Sequence, residues 1–259
     1  MNGNFLTYSS QLLDWFTPRL DMVKNSGNIR VIIFDLDDTL YDCSGTLVVR
    51  GRRQVAKTIA RLINSSEEEA YQLQLEMEGK YGVKANIYEK IVTLYNLPGT
   101  HVQELLEEFV HIDISGITVF PDVINTLIQL KARGYRLVLV TSGDKEIQKK
   151  KIDVLGLNNR YFDDIMITER NKNQSKKACF QEIMKRYDLQ PEEVICVGDK
   201  IDDELAASKS LGMATVMLEH GRHYNAYLKL QDKYIKPDYF IKHIKEILEL
   251  RILNNSQVN

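Results

Sequence analysis

Short apolar runs alternate with amphipathic segments along most of the chain, and this pattern predicts a parallel β-sheet with helices between its strands. The first run, Val31–Phe34, is unbroken and rich in β-branched residues, which is typical of a strand buried on both faces. Later strands are predicted at residues 136–140, 165–167, 194–197 and 214–217, with a small one near 239–240. Helices are predicted at residues 122–133, 144–155, 176–187, 202–211 and 241–250. Such alternation indicates an α/β fold with a Rossmann-like, doubly wound parallel sheet as its core.

The segment at residues 46–111 lacks a convincing strand pattern, and its apolar residues recur at helical spacing. Residues 65–69 combine an N-cap serine with acids in a first turn, and residues 97–100 bring a Pro-Gly break between two later helices. We therefore expect a smaller all-helical domain inserted into the sheet domain. The expected division is a lead-in at 1–28, a core at 29–45 and 112–259, and a helical insertion at 46–111. The lead-in is expected to pack on the body of the protein, with a second subunit as the alternative.

Composition argues for an ordinary globular protein. Apolar residues make up 44% of the chain, charged residues 27%, and the net charge is −2, which does not favour a nucleic-acid or membrane partner. The run Lys149–Lys151 falls in a helical pattern and is expected to be a solvated helix face. Three cysteines without metal-ligand spacing, no signal-peptide pattern and no long apolar run predict a cytoplasmic protein, either a monomer or a homodimer.

Carboxylates follow two of the predicted strands. Asp35 and Asp37 come directly after the first strand, and Asp199 follows Gly198 at the end of a later one. Parallel strands end at one edge of a sheet, where open α/β sheets bind ligands, so these side chains are expected to lie close together. Paired carboxylates can hold Mg²⁺ and also serve as nucleophile and acid/base. Capping of a following helix is the competing interpretation of Asp35 and Asp37.

A hydroxyl-rich turn and a group of lysines add to this edge. Thr141, Ser142 and Gly143 follow a strand and precede a helix, which suits either phosphate binding or simple helix capping. Lysines at 172, 176 and 177 surround the start of the next helix, where the helix dipole disfavours a cation. A buried lysine beside the carboxylates would explain this placement, and a solvated basic loop is the alternative.

In sequence order, the segment Asp35-Leu36-Asp37-Asp38-Thr39, the Thr141 strand end, a lysine before a helix, and Gly198-Asp199 followed by acids resemble the haloacid dehalogenase-like (HAD) hydrolase superfamily. The resemblance spans residues 30 to about 220. It implies a Rossmann-like core, a Mg²⁺ cofactor, and a helical cap corresponding to the insertion at 46–111. Because members that cleave carbon–halogen or phosphonate bonds lack the second aspartate, Asp37 favours the phosphatase branch.

The resemblance also implies roles for single residues. Asp35 would be the nucleophile that forms an aspartyl-phosphate, and Asp37 would protonate the leaving alcohol and then activate water. Thr141, Ser142, Gly143 and Lys176 would bind the phosphoryl group. Lys176 lacks the proline that often follows the family's lysine, so Lys172 and Lys177 remain alternatives.

Metal ligation is implied in the same way. Asp35, Asp199 and the main-chain carbonyl of Asp37 would hold Mg²⁺, with Asp203 and Glu204 supporting these ligands. In the insertion, Arg50, Arg52, Arg53 and Tyr88 are candidates to face the substrate, and a solvated helix face is the default interpretation of the arginines.

The expected function is hydrolysis of a small phosphorylated metabolite. A sugar-phosphate phosphomutase with the same nucleophile is one alternative, and a non-catalytic binding or regulatory protein on the same fold is another.

Overall fold

The computed structural model describes residues 29–169, 174–230 and 235–254. Its centre is a parallel sheet of six strands in the order β3-β2-β1-β4-β5-β6. The strands are β1 (Val31–Phe34), β2 (Arg136–Ser142), β3 (Asp164–Thr168), β4 (Val194–Gly198), β5 (Ala214–Leu218) and β6 (Tyr239–Ile241). The expected lead-in at 1–28 lies outside the described residues.

Helices connect the strands and make up the insertion. They are α1 (Leu47–Ile63), α2 (Glu67–Tyr81), α3 (Ile87–Leu94), α4 (Thr100–Val110), α5 (Val123–Ala132), α6 (Lys145–Val154), α7 (Lys176–Arg186), α8 (Glu204–Leu211), α9 (Gly221–Leu228) and α10 (Arg251–Asn254). Two 3₁₀ helices, Pro191–Glu193 and Ile244–Glu249, complete the secondary structure of the described ranges. In these ranges no helix combines the length and the apolar character that crossing a membrane requires.

Strand alternation explains the two apolar layers that enclose the sheet. Along β1, Ile32 and Phe34 belong to one buried cluster, whereas Val31 and Ile33 belong to a second one. Successive strand residues point to opposite faces, so a strand covered on both sides needs the unbroken apolar run seen in the sequence. The prediction of a doubly wound α/β fold is confirmed.

The sheet order places β1 at its centre, between β2 and β4. Chain connections lead away from β1 toward both edges of the sheet, which opens a crevice at the carboxyl end of this strand. Residues that follow β1 therefore occupy the position where α/β proteins of this kind bind ligands.

The four helices α1–α4 pack around an apolar cluster of their own. Val55, Ile59, Ile91 and Leu105 are fully buried in it. This cluster is separate from the two that flank the sheet. The boundaries 46 and 111 of an independent domain stay a prediction.

The C-terminal part departs from the expected pattern. A single closing helix at 241–250 was wrong, because β6 continues to Ile241 and a 3₁₀ helix follows at Ile244–Glu249. Ile244 and Ile247 are three residues apart and both are buried, a spacing that suits the 3₁₀ helix. Helix α9 also forms where no helix was expected.

Candidate active site

The chain turns sharply after β1, and this turn presents the first two aspartates. The amide of Asp35 still pairs with the carbonyl of Val197 on β4 (2.9 Å), so Asp35 continues the strand and is buried. Asp38 then adopts a left-handed conformation (φ 58°), which aspartate tolerates better than most residues. Helix α1 begins only at Leu47, so neither Asp35 nor Asp37 caps a helix.

Asp35, Asp199 and Glu204 form a buried acidic trio in which carboxylate oxygens from all three residues lie within 4.8 Å of one another. Lys176, at the first turn of α7, donates to Asp35 Oδ1 (2.6 Å) and to Glu204 Oε2 (2.8 Å). Burial disfavours the ammonium form, but the charges of Asp35 and Glu204 outweigh burial and raise the pKa of Lys176. The trio is therefore in contact with one buried ammonium group, that of Lys176.

Three oxygen atoms of the trio are buried and have no hydrogen-bond partner, namely Asp35 Oδ2 and both carboxylate oxygens of Asp199. Burial raises the pKa of Asp199 well above its usual range. The ammonium of Lys200 approaches without reaching hydrogen-bond distance, at 3.7 Å from Asp35 Oδ2 and 3.9 Å from Asp199 Oδ1. Unpartnered buried carboxylates are costly, and hard divalent cations prefer oxygen ligands. The trio therefore fits a divalent metal ion.

Gly198, the last residue of β4, is required by the close approach of Glu204. A Cβ atom at this position would lie 2.5 Å from Glu204 Oε1 and 2.6 Å from its Cγ. The side chain of Glu204 folds back over the strand end and also accepts a hydrogen bond from the amide of Lys200 (2.7 Å). The glycine thus lets Glu204 join the acids at the sheet edge.

The carboxylate of Asp37 lies outside this trio and is held by α6 instead. Lys151 donates to both of its oxygens, at 3.0 and 3.2 Å, and the hydroxyl of Tyr41 donates to Oδ1 at 2.5 Å. Burial would raise the pKa of Asp37, but Lys151, Lys200 and the Tyr41 hydrogen bond together lower it well below its usual range. The expectation of a solvated face at Lys149–Lys151 was therefore wrong for Lys151, whereas Lys149 and Lys150 are exposed.

Thr141 and Ser142 are the last two residues of β2, so the strand is longer than predicted, and they lie with Gly143 at the same edge of the sheet. Thr141 is buried, and its Oγ1 accepts a hydrogen bond from Gln148 Nε2 (2.6 Å). Ser142 Oγ contacts Thr168 Oγ1 at 2.6 Å, and the amide of Gly143 donates to the carbonyl of Thr168 at 3.0 Å. A phosphate would compete with Thr168 for these last two groups.

Helix capping does not account for Thr141 or Ser142. The N-cap of α6 is Asp144, whose carboxylate accepts from the amides of Glu146 and Ile147, both at 3.0 Å. Thr141 and Ser142 are therefore left for another role.

Of the lysines and acids proposed as alternatives from the sequence, one lysine and one acid belong to the buried cluster around Asp35. Lys176 is buried in the trio, Lys177 is exposed, and Lys172 lies outside the described residues. Glu204 is part of the trio itself, whereas Asp203 is half-buried and lines the cleft above it. The catalytic and metal-binding roles of all these residues remain predictions.

A cleft of about 620 Å³ opens between the helical insertion and this sheet edge. Its lining comprises Val83 and Lys84 from the insertion and Ser142, Gly143, Lys200, Asp202, Asp203, Arg222 and His223 from the core. Burial, reinforced by Lys200 and Arg222, lowers the pKa of His223 to about 3, so this ring is neutral at physiological pH. The cleft leads from solvent to Lys200, which borders the acidic trio.

Two ion pairs join the insertion to the core beside the cleft. Lys84 pairs with Asp202, and Glu78 Oε2 accepts from Arg222 of α9 (2.9 Å) and from Arg52 of α1 (2.6 Å). The two guanidiniums share one carboxylate, so the group has a net positive charge.

The four candidates in the insertion make other contacts. Arg50 donates to main-chain carbonyls of residues 113 and 115, and Arg53 pairs with Glu68 within the insertion. Arg52 and Tyr88 are buried among the helices of the insertion. None of the four lines this cleft, to which the insertion contributes Val83 and Lys84 of the loop after α2.

Sequence reasoning missed Tyr41, Gln148, Lys151, Lys200 and Arg222. Two signals were present. Gln148 and Lys151 share a helix face with the buried Ile152, and Lys200 directly follows Asp199. Tyr41 lies in the turn after β1 and Arg222 in the first turn of α9, and the sequence pattern does not show where either segment lies in the fold.

Comparison with known proteins identifies the family. A family model described as haloacid dehalogenase-like hydrolase matches residues 29–210, and a related HAD-hydrolase-like model matches residues 174–247. The first match covers more than half of the chain and contains every site residue predicted from the sequence, whereas Arg222 and His223 of the cleft lie beyond it.

Individual relatives cover most of the chain. A glyceraldehyde 3-phosphate phosphatase of Methanopyrus kandleri is 28% identical over 86% of this chain and 97% of its own length. A phosphoglycolate phosphatase of Aquifex aeolicus is 27% identical over 86% of this chain and 96% of its own. The crystal structure of a HAD phosphatase from Thermococcus onnurineus superposes with a TM-score of 0.56 at 27% identity, covering 85% of this chain and 97% of that one. The protein thus belongs to the haloacid dehalogenase-like hydrolases, a family that generally uses a divalent metal ion.

Proposed function

We propose that the protein is a Mg²⁺-dependent phosphomonoester hydrolase that acts on a small phosphorylated metabolite through an aspartyl-phosphate on Asp35. The observation that carries this proposal is the acidic trio, whose three unpartnered carboxylate oxygens lie beside Lys176 and below an open cleft. Asp35 and Asp199 would hold the ion, with the main-chain carbonyl of Asp37 as the further ligand that the family resemblance implies. Glu204, whose two oxygens accept from Lys176 and from the Lys200 amide, would support these ligands. When bound, Mg²⁺ would neutralise the charge that accumulates on the transferred phosphoryl group.

In the first half of the reaction, a carboxylate oxygen of Asp35 attacks phosphorus and the bond to the leaving oxygen breaks. Asp37, which Lys151 and Tyr41 hold as a carboxylate in the structure, first takes up a proton from solvent and then gives it to that oxygen, which departs as an alcohol. Lys176 keeps Asp35 and Glu204 from repelling the incoming phosphate, because its ammonium bonds both carboxylates. The hydroxyl of Thr141 donates to a phosphoryl oxygen. General acid catalysis by Asp37 would contribute about 10²–10⁴-fold.

In the second half, Asp37 acts as the base. Its carboxylate takes a proton from water as the water oxygen attacks phosphorus, and the bond between phosphorus and Asp35 breaks. Inorganic phosphate leaves, and Asp35 returns to its starting state. Covalent catalysis of this kind divides one slow hydrolysis into two faster steps.

The substrate class is supported by the cleft and by the relatives. About 620 Å³ suits a small metabolite. The relatives described above are named for phosphatase activity toward glyceraldehyde 3-phosphate and phosphoglycolate, which favours hydrolysis over a phosphomutase reaction. Retention of Asp35, Asp37 and Asp199 argues against a non-catalytic binding protein.

Release of inorganic phosphate from a panel of small phosphomonoesters, with and without Mg²⁺, tests the proposal. We expect Mg²⁺-dependent turnover that Asp35→Asn abolishes. The exposed Asp153 on α6 supplies a control, because Asp153→Asn changes the same group away from the site. Activity that persists in Asp35→Asn, or in excess chelator, would refute the proposed mechanism.

A further inference from the structure

Helix α6 carries two buried side chains, Gln148 and Lys151, that contact the candidate reacting residues. They are three residues apart and therefore lie on the same helix face. Gln148 is 2% exposed, and the side chain of Lys151 is 11% exposed, although Lys149 and Lys150 between them are exposed. Neither residue has a role in the mechanism proposed above.

Lys151 is the principal hydrogen-bond donor to the carboxylate of Asp37. Its ammonium donates to both carboxylate oxygens, at 3.0 and 3.2 Å. Tyr41 adds a bond to Oδ1 at 2.5 Å, and Gln148 Nε2 lies 3.3 Å from Oδ2. An aspartate side chain has two rotatable bonds, and donors that approach both oxygens from different elements hold it in one orientation. Asp37 remains 19% exposed, so a molecule in the site can still reach its carboxylate.

Gln148 extends this arrangement to Thr141. Its Nε2 lies 2.6 Å from Thr141 Oγ1, 3.2 Å from the carbonyl of Ser142 and 3.3 Å from Asp37 Oδ2. The Ser142 and Asp37 oxygens are acceptors, so the amide must present its NH₂ group rather than its oxygen. With a lone pair of Thr141 engaged by that NH₂, the hydroxyl proton points elsewhere and can be donated to a phosphoryl oxygen.

We propose that Lys151 and Gln148 are positioning residues for phosphoryl transfer, Lys151 by orienting the Asp37 carboxylate toward the leaving oxygen and Gln148 by directing the Thr141 hydroxyl toward the phosphoryl group. This inference rests on the proposed function. It assigns different roles to two residues of one helix face. Lys151 acts through Asp37 on protonation of the leaving group, and Gln148 acts through Thr141 on binding of the phosphoryl group.

These two roles predict that variants of Lys151 and of Gln148 respond differently when the leaving group of the substrate is changed. An alkoxide is a poor leaving group and needs the proton of Asp37, whereas p-nitrophenolate departs readily without it. The ratio kcat/KM reports on steps up to release of the first product, so it isolates this proton transfer from the later attack of water. A defect that acts through Asp37 must therefore be larger for an alkyl phosphate than for p-nitrophenyl phosphate.

The decisive variant is Lys151→Met, compared with wild type on p-nitrophenyl phosphate and on the alkyl phosphate that the wild type hydrolyses best. Removal of the Lys151 charge also raises the pKa of Asp37, and we expect the loss of orientation to outweigh this effect. The value of kcat/KM should therefore fall by roughly 10–100-fold for the alkyl phosphate, part of the full general-acid contribution, and stay within about threefold for the aryl phosphate. Lys151→Arg should recover part of the loss, since a guanidinium can also bond both oxygens. Lys150→Met, at the exposed neighbour, should change neither value.

Two further variants complete the test. Tyr41→Phe removes another donor to Asp37 and should reproduce the selective loss to a smaller extent. Gln148→Met retains similar size but loses the NH₂ group, and should lower kcat/KM for both substrates by about the same factor, because Thr141 contacts the phosphoryl group that they share.

Equal losses on the two substrates in Lys151→Met and Tyr41→Phe, or no loss in either variant, would overturn the positioning role of Lys151. A loss confined to the alkyl phosphate in Gln148→Met would overturn the role given to Gln148. These results differ from a failure of the proposed function, in which the wild type itself would hydrolyse neither substrate in the presence of Mg²⁺.

Discussion

At the scale of single residues, the buried acidic trio determines what the site can do. Asp35 comes from the end of β1, Asp199 from the end of β4, and Glu204 from the first turn of α8. One ammonium, that of Lys176, is bonded to Asp35 and Glu204, and both oxygens of Asp199 remain without a hydrogen bond. This imbalance is what a divalent cation would correct.

Metal binding should therefore stabilise the folded protein. At a Mg²⁺ concentration 100 times the dissociation constant, the free energy of unfolding should rise by about 2.7 kcal/mol, because the ion binds only the folded trio. Asp199→Asn should remove most of this gain. Thermal unfolding with and without Mg²⁺ measures the effect without reference to activity.

A second acidic group provides the control for this measurement. Asp38, Asp42 and His220 also bring possible ligand atoms within 4.8 Å of one another. Asp38 already accepts two hydrogen bonds from Ser44, at 2.7 and 2.5 Å, so this group needs a cation less. Asp42→Asn should leave the Mg²⁺-induced rise in the free energy of unfolding unchanged. Loss of this rise in Asp42→Asn but not in Asp199→Asn would show that the ion binds the second acidic group rather than the trio.

Residues of the site that lie at or directly after the end of a strand were predictable from the sequence. Asp35, Thr141 and Asp199 end buried apolar runs, and parallel strands bring such ends to one edge. Gln148 and Lys151 were not recognised, because a polar residue on a helix is solvated by default and only tertiary packing shows which face is buried. The variants described above test the proposed roles of these two residues in catalysis.

At the scale of secondary-structure elements, the sheet follows closely from the pattern. The five main strands were located from apolar runs, with differences of one or two residues at their ends. Helix α9 was not predicted. Tyr227 is its only buried residue, so its sequence shows little apolar periodicity. The 3₁₀ helix near the C-terminus has a spacing of three that resembles the first turn of an α-helix.

The insertion offers a prediction at this scale. Leu105 is fully buried in the cluster formed by α1–α4, so Leu105→Ala should cost about 2–5 kcal/mol by leaving a cavity. If the insertion unfolds as a unit, amide hydrogen exchange should accelerate throughout α1–α4 and stay unchanged in β1 and β4.

The same substitution at an exposed position of the insertion is the control. Leu94 is 55% exposed, and Leu94→Ala should leave exchange in both regions as in wild type. Acceleration in β1 and β4 equal to that in α1–α4 would show that the insertion is not an independent unit.

At the scale of the whole molecule, the insertion covers the sheet edge and meets it through charged side chains. Glu78 bonds Arg222, and Lys84 pairs with Asp202, so both ion pairs cross the boundary of the cleft. Movement of the insertion would break these contacts and admit substrate, whereas their formation would help to exclude water during the reaction.

Removing one of these contacts should weaken substrate binding. Arg222→Met loses the bond to Glu78 and a positive charge in the cleft, so KM should rise by about tenfold, equivalent to ~1.4 kcal/mol, with a smaller change in kcat. Arg53→Met is the matched control, because Arg53 pairs with Glu68 inside the insertion. An unchanged KM in Arg222→Met, or an equal rise in Arg53→Met, would contradict this account of the cleft.

The central claim is that Asp35 becomes covalently phosphorylated, and rapid acid quenching tests it most directly. Protein mixed with a substrate and Mg²⁺ would be quenched within one turnover, digested, and examined by mass spectrometry for the peptide that contains Asp35. We predict one added phosphoryl group on Asp35 that is absent from Asp35→Asn and from samples with excess chelator. Turnover with no phosphoryl group on this peptide, or the same modification on another residue, would contradict the account.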